Sequence, residues 1–451
     1  MKNPILYLLA LTLLIIVSTN TYAQEKWSLE KCISYAKENN VDVVKQRIRN
    51  EILKSDITIS KGKYLPDASF NASQNFSLGN SFNVSTGVGQ LESSSNSFSL
   101  SSSVPIFNGF SNKYNLQKSK VSLEKGESDL EKIRFDLSLN ITNKYLQVLF
   151  NKEILKVAKE QVQISEQNYK RLKKLHDNVL IGKRELLEIE STLASDKKEV
   201  LVAQNKVNNS LIELQELLGV SEINNFDIEI IEIEVASEKL RLNSISEGVI
   251  NSNPTIKSSA FDLELKKRDL KISRSSFYPR INLNYSYSTN YFHILGRDDV
   301  VFNQETGQFD ENGFFTQLNN NRTHFISLSV NVPIFNRFQT RENYKKAQEE
   351  IKISEIVLAN QKLLLKNKVK TAMNDSNTAK AILESNKVAY QSQNEPIDNL
   401  NEQYKNGNIT NYEFLQGKTK LIKDTSEFIR SKYDYLFKNK ILEFYNVYET
   451  D

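Results

Sequence analysis

Glu185 and Glu413 stand 228 residues apart, as do Glu188 with Gln416 and Asp196 with Asp424. A carboxylate in the first turn of a helix stabilises the positive end of the helix dipole, and one on an apolar helix seam needs water or a cation. Neither task is covalent chemistry. The three histidines, His176, His293 and His324, are scattered and meet no metal-ligand spacing, so no metal site is assigned. There is no glycine-rich phosphate cradle and no Ser-His-Asp arrangement, so neither a cofactor nor an enzyme is expected.

The spacing of 228 is not confined to acids. "VPIFNGF" from Val104 returns as "VPIFNRF" from Val332, and Leu137, Ile141, Leu155 and Leu172 meet Leu365, Val369, Leu383 and Leu400 without a gap. Upstream the offset is 213, which aligns "KYLPDASF" from Lys63 with "SFYPRINL" from Ser276 and Asn40 with Asn253. The second copy therefore holds 15 extra residues between Pro279 and Pro333, expected as an outward-facing loop. One long duplication, not a short-period solenoid, organises the chain.

Each copy repeats the same order of patterns. Apolar residues alternate with Ser, Asn and Thr over 66–80 and 94–105, and again over 279–291 and 324–333. Period two over about ten residues predicts strands with one apolar and one polar face, long enough to cross a bilayer when tilted. The stretches 111–218 and 339–448 are almost free of proline and carry helical spacing. Leu186, Ile189, Leu193, Asp196, Val200, Ala203, Val207, Ser210, Leu214 and Leu217 step by threes and fours, which is a coiled-coil seam. Leu155, Ala158, Val162, Tyr169 and Leu172 supply the facing seam, so each copy is expected to fold as an antiparallel helical hairpin about 100 Å long. Shorter helices are expected before each strand pair, and "FDIEIIEIEV" from Phe226 is expected as one more short strand near the repeat boundary.

The division is thus residues 1–23 as a signal peptide, 24–230 as the first repeat and 231–451 as the second. The apolar run from Ile5 to Val17 is too short to span a bilayer and ends in a small-residue site at Thr21-Tyr22-Ala23. Cys32 lies nine residues past that cut, where it can neither pair within the chain nor bear a lipid. A formal charge of +4, from 59 basic and 55 acidic residues intermixed, does not point to nucleic acid. No later stretch is a membrane helix, but a β-barrel leaves no such run.

Four candidate membrane strands cannot close a barrel, because at least eight are needed and an open edge in lipid leaves backbone groups unpaired. If these strands lie in the membrane, several chains must share one barrel. In this respect the chain resembles the TolC-like outer-membrane efflux channels. The resemblance is carried by the opening "WSLEKCISYAKENN", the strand–helix junctions "SVPIFNGF" and "NVPIFNRF", and the hairpin tips "LHDNVLIGKRELLEIES" and "QYKNGNITNYEFLQ". It implies a mostly α fold with a membrane β part: a homotrimer whose hairpins form an α-barrel and whose strands form one twelve-stranded β-barrel in outer-membrane lipid. It also implies an exit duct for a tripartite efflux pump or type I secretion system, working with a periplasmic adaptor and an inner-membrane transporter of RND or ABC type.

By the same resemblance Tyr404, Gly407 and Glu413 match the family's turn tyrosine, turn glycine and first acidic constriction residue, and Gln416 stands where a second acid often stands. Three chains would then ring a periplasmic aperture with Glu413, Gln416, Glu185 and Glu188, which favours cations. Ile409 replaces a gate-locking arginine, and Val179 replaces a turn glycine in the first tip, whose loop is expected to be shaped differently. Asp196 and Asp424 are expected either to line the tunnel or to pair with a cation on a neighbouring helix. Pro105, Phe107, Gly109, Pro333, Phe335 and Arg337 form the expected barrel–tunnel joint, with each proline ending a strand and Ser111 and Thr340 capping the helices that follow. If Gly109 has positive φ, Arg337 is expected not to, and the joints to differ. The rivals are a periplasmic or cell-surface structural coiled-coil protein with no transport role, and an exported enzyme, for which no residues speak.

Overall fold

The computed structural model describes residues 26–79, 81–83, 88–90, 92–220, 226–230 and 247–446. The expected signal peptide lies outside them, and so does the part of the expected boundary strand beyond Ile230. Two compact units each draw on both repeats: residues 1–47, 129–256 and 361–451 form one, and residues 48–128 and 257–360 the other.

In the first unit, α1 (Leu29–Asn39) begins where the Ser28 side chain accepts from the Lys31 amide. Asn40 then ends α1 and starts α2 (Val41–Gly62), its Oδ1 accepting from the Asp42 amide. Asn253 does the same for the Thr255 amide at the start of α6 (Pro254–Ser275), which follows the short α5 (Glu247–Ser252). The match of Asn40 with Asn253 therefore marks one capping device used twice.

The long α3 (Ser111–Asp177) and α4 (Lys183–Leu218) are the first hairpin, and α4 buries Ile189, Ala203, Val207, Ser210, Leu214 and Leu218. Leu155 packs on Ala203 and Val207, with Ala158 and Val200 at the margin, as the facing seams require. Above this seam the core gathers Leu29, Cys32, Ala36, Leu137, Ile141, Tyr145, Leu149 and Leu218. Trp27 and Ile228 form a parallel bridge over it, and the Tyr145 hydroxyl donates to the carbonyls of both Trp27 and Glu229. Cys32 is a buried small hydrophobe here, its thiol pushed up to about 12 by burial.

The second hairpin is broken where the first is not. Helix α8 (Gln339–Asn394) stops before Pro396, a short α9 (Ile397–Lys405) follows, and α10 (Asn411–Asn446) returns. Pro396 has no amide hydrogen to continue the helix, which explains the break.

The second unit carries a four-stranded antiparallel sheet in the order β1–β4–β5–β8: Ser69–Ser77, Ser93–Asn108, Arg280–Ile294 and Thr323–Asn331. A small hairpin of β2 (Ser81–Asn83) and β3 (Val88–Gln90) lies between the first two strands. Alternation sorts the faces. Phe70, Leu100 and Tyr287 stand in one cross-strand row and Val104, Leu283 and Leu328 in another, all on one face. On the opposite face Asn71, Ser99, Ser288 and Thr323 form a row, and Ser103, Asn284 and Ser327 are joined by hydrogen bonds of 2.8 and 3.5 Å.

The expected loop in the second copy is instead ordered structure. It holds a hairpin, β6 (Val300–Asn303) with β7 (Gln308–Glu311), and a helix, α7 (Phe314–Asn320), whose Gln317 side chain bonds both the amide and the carbonyl of Phe292. Among the described residues no helix is long and apolar enough to cross a membrane.

Candidate functional site at the hairpin tips

The two tips have the same backbone. In the first, the amides of Val179 and Leu180 donate to the carbonyls of His176 and Leu175; in the second, those of Gly407 and Asn408 donate to Tyr404 and Gln403. Both are helix ends closed by a left-handed residue, with φ of 61° at Val179 and 74° at Gly407. The expected difference in loop shape is therefore not found. The terminal carbonyls of a helix must be paired, and that requirement holds even a β-branched residue in the left-handed region.

Tyr404 is buried beneath the second tip, stacked on Phe414 with ring centroids 4.2 Å apart. The guanidinium of Arg171, from α3, lies 4.6 Å from the centre of the same tyrosine ring and donates to the Tyr404 carbonyl at 3.4 Å. Burial raises the Tyr404 phenol above its ordinary value, against the pull of Arg171. Arg171 thus joins the first hairpin to the second tip. Ile409, at the family's arginine position, does not take part in that link.

Glu413 is exposed and completes a capping box. Its carboxylate accepts from the Thr410 amide at 2.8 Å and the Thr410 hydroxyl at 2.9 Å, and its own amide donates to the Thr410 hydroxyl at 3.2 Å. Those donors hold its carboxyl below the usual range. Glu188 is paired with Arg184 at 3.0 Å, and Gln416 donates to the Tyr412 hydroxyl. Glu185, Glu188, Tyr404, Gly407 and Glu413 line one open cleft between the two tips, and Gln416 lies outside it.

Less than two turns before Arg171 on α3, a polar cluster bridges three helices. Lys418 of α10 is 5% exposed and donates to the Ser165 hydroxyl at 2.9 Å; Ser165 in turn donates to Asp196 of α4, which also accepts from Gln161 at 3.1 Å. Desolvation pulls Lys418 down to about 8, with Asp196 resisting. Asp196 forms no direct ion pair among the described residues and reaches the lysine of the neighbouring helix only through the Ser165 hydroxyl. Lys418 is invisible in the seam as written, because Gly417 occupies the seam position and Lys418 the next.

The joints correct three expectations. Strand β4 continues past Pro105 to Asn108, slipping register between Pro105 and Phe107, whereas β8 stops at Asn331, before Pro333. Each following helix is capped by the asparagine of the repeated phrase, not by Ser111 or Thr340: Asn108 Oδ1 accepts from the Asn112 amide at 3.3 Å and Asn336 Oδ1 from the Thr340 amide at 3.4 Å. The repetition of that asparagine was the signal. Gly109 and Phe110 have φ of 66° and 68°, and Arg337 and Phe338 have 55° and 64°, so the backbones match and Arg337 adopts the conformation it was expected to avoid. Phe107 meets Phe110 edge to face at 5.2 Å, and Phe335 meets Phe338 at 5.3 Å. What differs is the surroundings: a Cβ on Gly109 would lie 2.3 Å from the Ser275 carbonyl oxygen, whereas Arg337 is exposed.

This architecture is that of the outer membrane efflux protein family, whose profile matches residues 32–220 and 246–443; the chain belongs to that family. It is an outer-membrane channel protein, not an enzyme, and its long helical part lies on the periplasmic side. Among solved structures it is similar to the Campylobacter jejuni CmeC outer membrane channel (18% identity, TM-score 0.77, 92% of this chain and 85% of that one). It is also similar to CusC (15%, 0.75, 92% and 90%) and to the open state of the Neisseria gonorrhoeae MtrE outer membrane channel (15%, 0.73, 92% and 88%). No curated protein sequence matches significantly.

Proposed function

We propose that the chain is the passive exit duct of a tripartite efflux pump or type I secretion system. As a homotrimer with one twelve-stranded barrel, it conducts solutes from the periplasm to the exterior. The observation that supports this best is the sheet with one apolar face, one Ser/Asn/Thr face and two open edges. In hydrocarbon each unpaired edge group costs several kcal/mol, so a lone four-stranded sheet is untenable there, while three copies close the ring. The chain has no nucleotide-binding motif, so energy comes from an inner-membrane transporter reached through a periplasmic adaptor at the tips.

In this reading Glu413 and Glu185 bias the aperture towards cations while also serving their helix ends. Planar-bilayer recording of detergent-purified protein tests both parts. Stable conductance from a species of three chains is expected, with cation preference reduced in the Glu413→Gln, Glu185→Gln double variant. A monodisperse monomer that never conducts would sink the channel assignment, and an unchanged preference would remove the acids from selectivity. Cross-linking in native cells, followed by identification of the attached transporter, decides between pump and secretion system.

A further inference from the structure

The two outermost strands, β1 and β8, are each nine residues long and exposed along almost their whole length. Alternate residues of their faces are apolar, with Phe70, Phe76, Ile326 and Leu328 all at least 60% exposed. We propose that β8 of one copy pairs with β1 of the next in a single register that sets Ser329 opposite Ser73, Ser327 opposite Asn75 and Asn331 opposite Asn71. This rests on the trimeric duct reading and adds to it the residue contacts of the interface.

The register follows from the internal duplication. First strands of the two copies are related by 213 and second strands by 228. Those offsets carry the pair Ser73–Ser97 onto Ser286–Phe325 and the pair Asn71–Ser99 onto Asn284–Ser327, and both of these are observed partners. The duplication therefore preserves strand register within each hairpin. The junction between hairpins is observed once, as β4 against β5, where Ser101 faces Ser286, Ser99 faces Ser288 and Ser103 faces Asn284. Carrying those pairs forward on one side by 228 and back on the other by 213 gives the three pairs proposed.

Two physical constraints agree. Side chains alternate with period two, so an odd shift would turn the apolar residues of one strand onto the polar face of the other. The proposed register keeps the faces: Val330 stands beside Ala72 and Ile326 beside Phe76 on the apolar side. Even shifts preserve the faces but change the stagger at this junction relative to the other, and a closed barrel has one overall shear to satisfy.

Cysteine pairs in the full-length chain test the register. Facing residues of an antiparallel pair lie about 4.5–5.5 Å apart between Cα atoms, within disulfide reach, whereas positions 73 and 329 of one and the same chain are separated by three strand spacings of about 4.8 Å. Native Cys32 is fully buried and serves as background. After oxidation in outer membranes, Ser73→Cys with Ser329→Cys, and Asn75→Cys with Ser327→Cys, are expected to give covalent dimers and trimers on a non-reducing gel. The shifted pairs, Asn71→Cys or Asn75→Cys with Ser329→Cys, are expected to give several-fold less. Preferential linkage of a shifted pair overturns the register. So does failure of every pair while an amine-reactive cross-linker still yields trimers. If that reagent yields only monomers, the trimeric reading itself fails.

Discussion

Val179 shows what a left-handed turn costs when glycine is absent. It is 90% exposed, so replacing its side chain loses no packing. A left-handed residue with a Cβ carries about 1–2 kcal/mol of strain, and glycine gives back part of that gain as greater freedom in the unfolded chain. Val179→Gly is expected to stabilise the first tip by ~1 kcal/mol, seen as a raised thermal midpoint or slower amide exchange at 174–182, and Gly407→Val to do the reverse. At the joints the expectations are opposite for two residues that share a backbone. Gly109→Ala must push its new Cβ against the Ser275 carbonyl and is expected to cost ~2 kcal/mol or more, while Arg337→Gly is expected to be neutral or stabilising by thermal unfolding.

At the scale of elements, the tips are held by a cap and by a buried lysine. Thr410→Ala removes both the acceptor for the Glu413 amide and the hydroxyl donor to its carboxylate, and is expected to cost the start of α10 ~1 kcal/mol, read as faster amide exchange over 411–416. Lys418 makes the bridge between α10 and the first hairpin dependent on pH. Its folded pKa of about 8 is below the ordinary lysine value of 10.5, so between those values the unfolded chain holds more protons. Stability at this bridge is then expected to be flat below pH 8 and to rise towards pH 10, by at most roughly 3 kcal/mol. Ser165 accepts from it, and Asp196, held by Ser165 and Gln161, is the charged group that opposes the trend by favouring the charged amine. Lys418→Met is expected to abolish the rise, measured as the difference between the two proteins' melting curves from pH 7 to 10, since other lysines and tyrosines titrate in both.

For the molecule as a whole, the proposed duct turns the sheet's apolar face to the membrane and its polar face to the lumen. Leu100 and Ser99 are neighbours that point opposite ways, each with partners on both β1 and β5. An arginine at Leu100 would sit on the face turned to hydrocarbon and is expected to cost assembly about 2–4 kcal/mol near the bilayer midplane. Ser99→Arg is expected to assemble normally and to lower cation conductance in planar bilayers. If the two outcomes are exchanged, the assignment of faces is reversed.

Periodicity, length and repetition are local properties of a chain, and they carried the fold: two offsets, four alternating strands and two helical hairpins are legible in the letters alone. Asn108 and Asn336 are legible there too, as the asparagine that the repeated phrase keeps three residues after its proline. The rest depended on groups brought from elsewhere. Whether Gly109 must be glycine is decided by the Ser275 carbonyl, 166 residues away, and Arg337 has no such neighbour. Tyr404 lies under an arginine from another helix, and Lys418 is buried because α10 lies against α3, contacts that no spacing within one helix encodes. Val179 and Arg337 violate a local preference because unpaired carbonyls and a fixed chain path cost more than one strained residue. The sequence alone determined the principal strands and helices, their order and their faces, but not the hairpin and helix inside the second copy's insertion; the tertiary structure decided which side chains meet between elements, because desolvation and close contact arise only where two distant segments exclude water together.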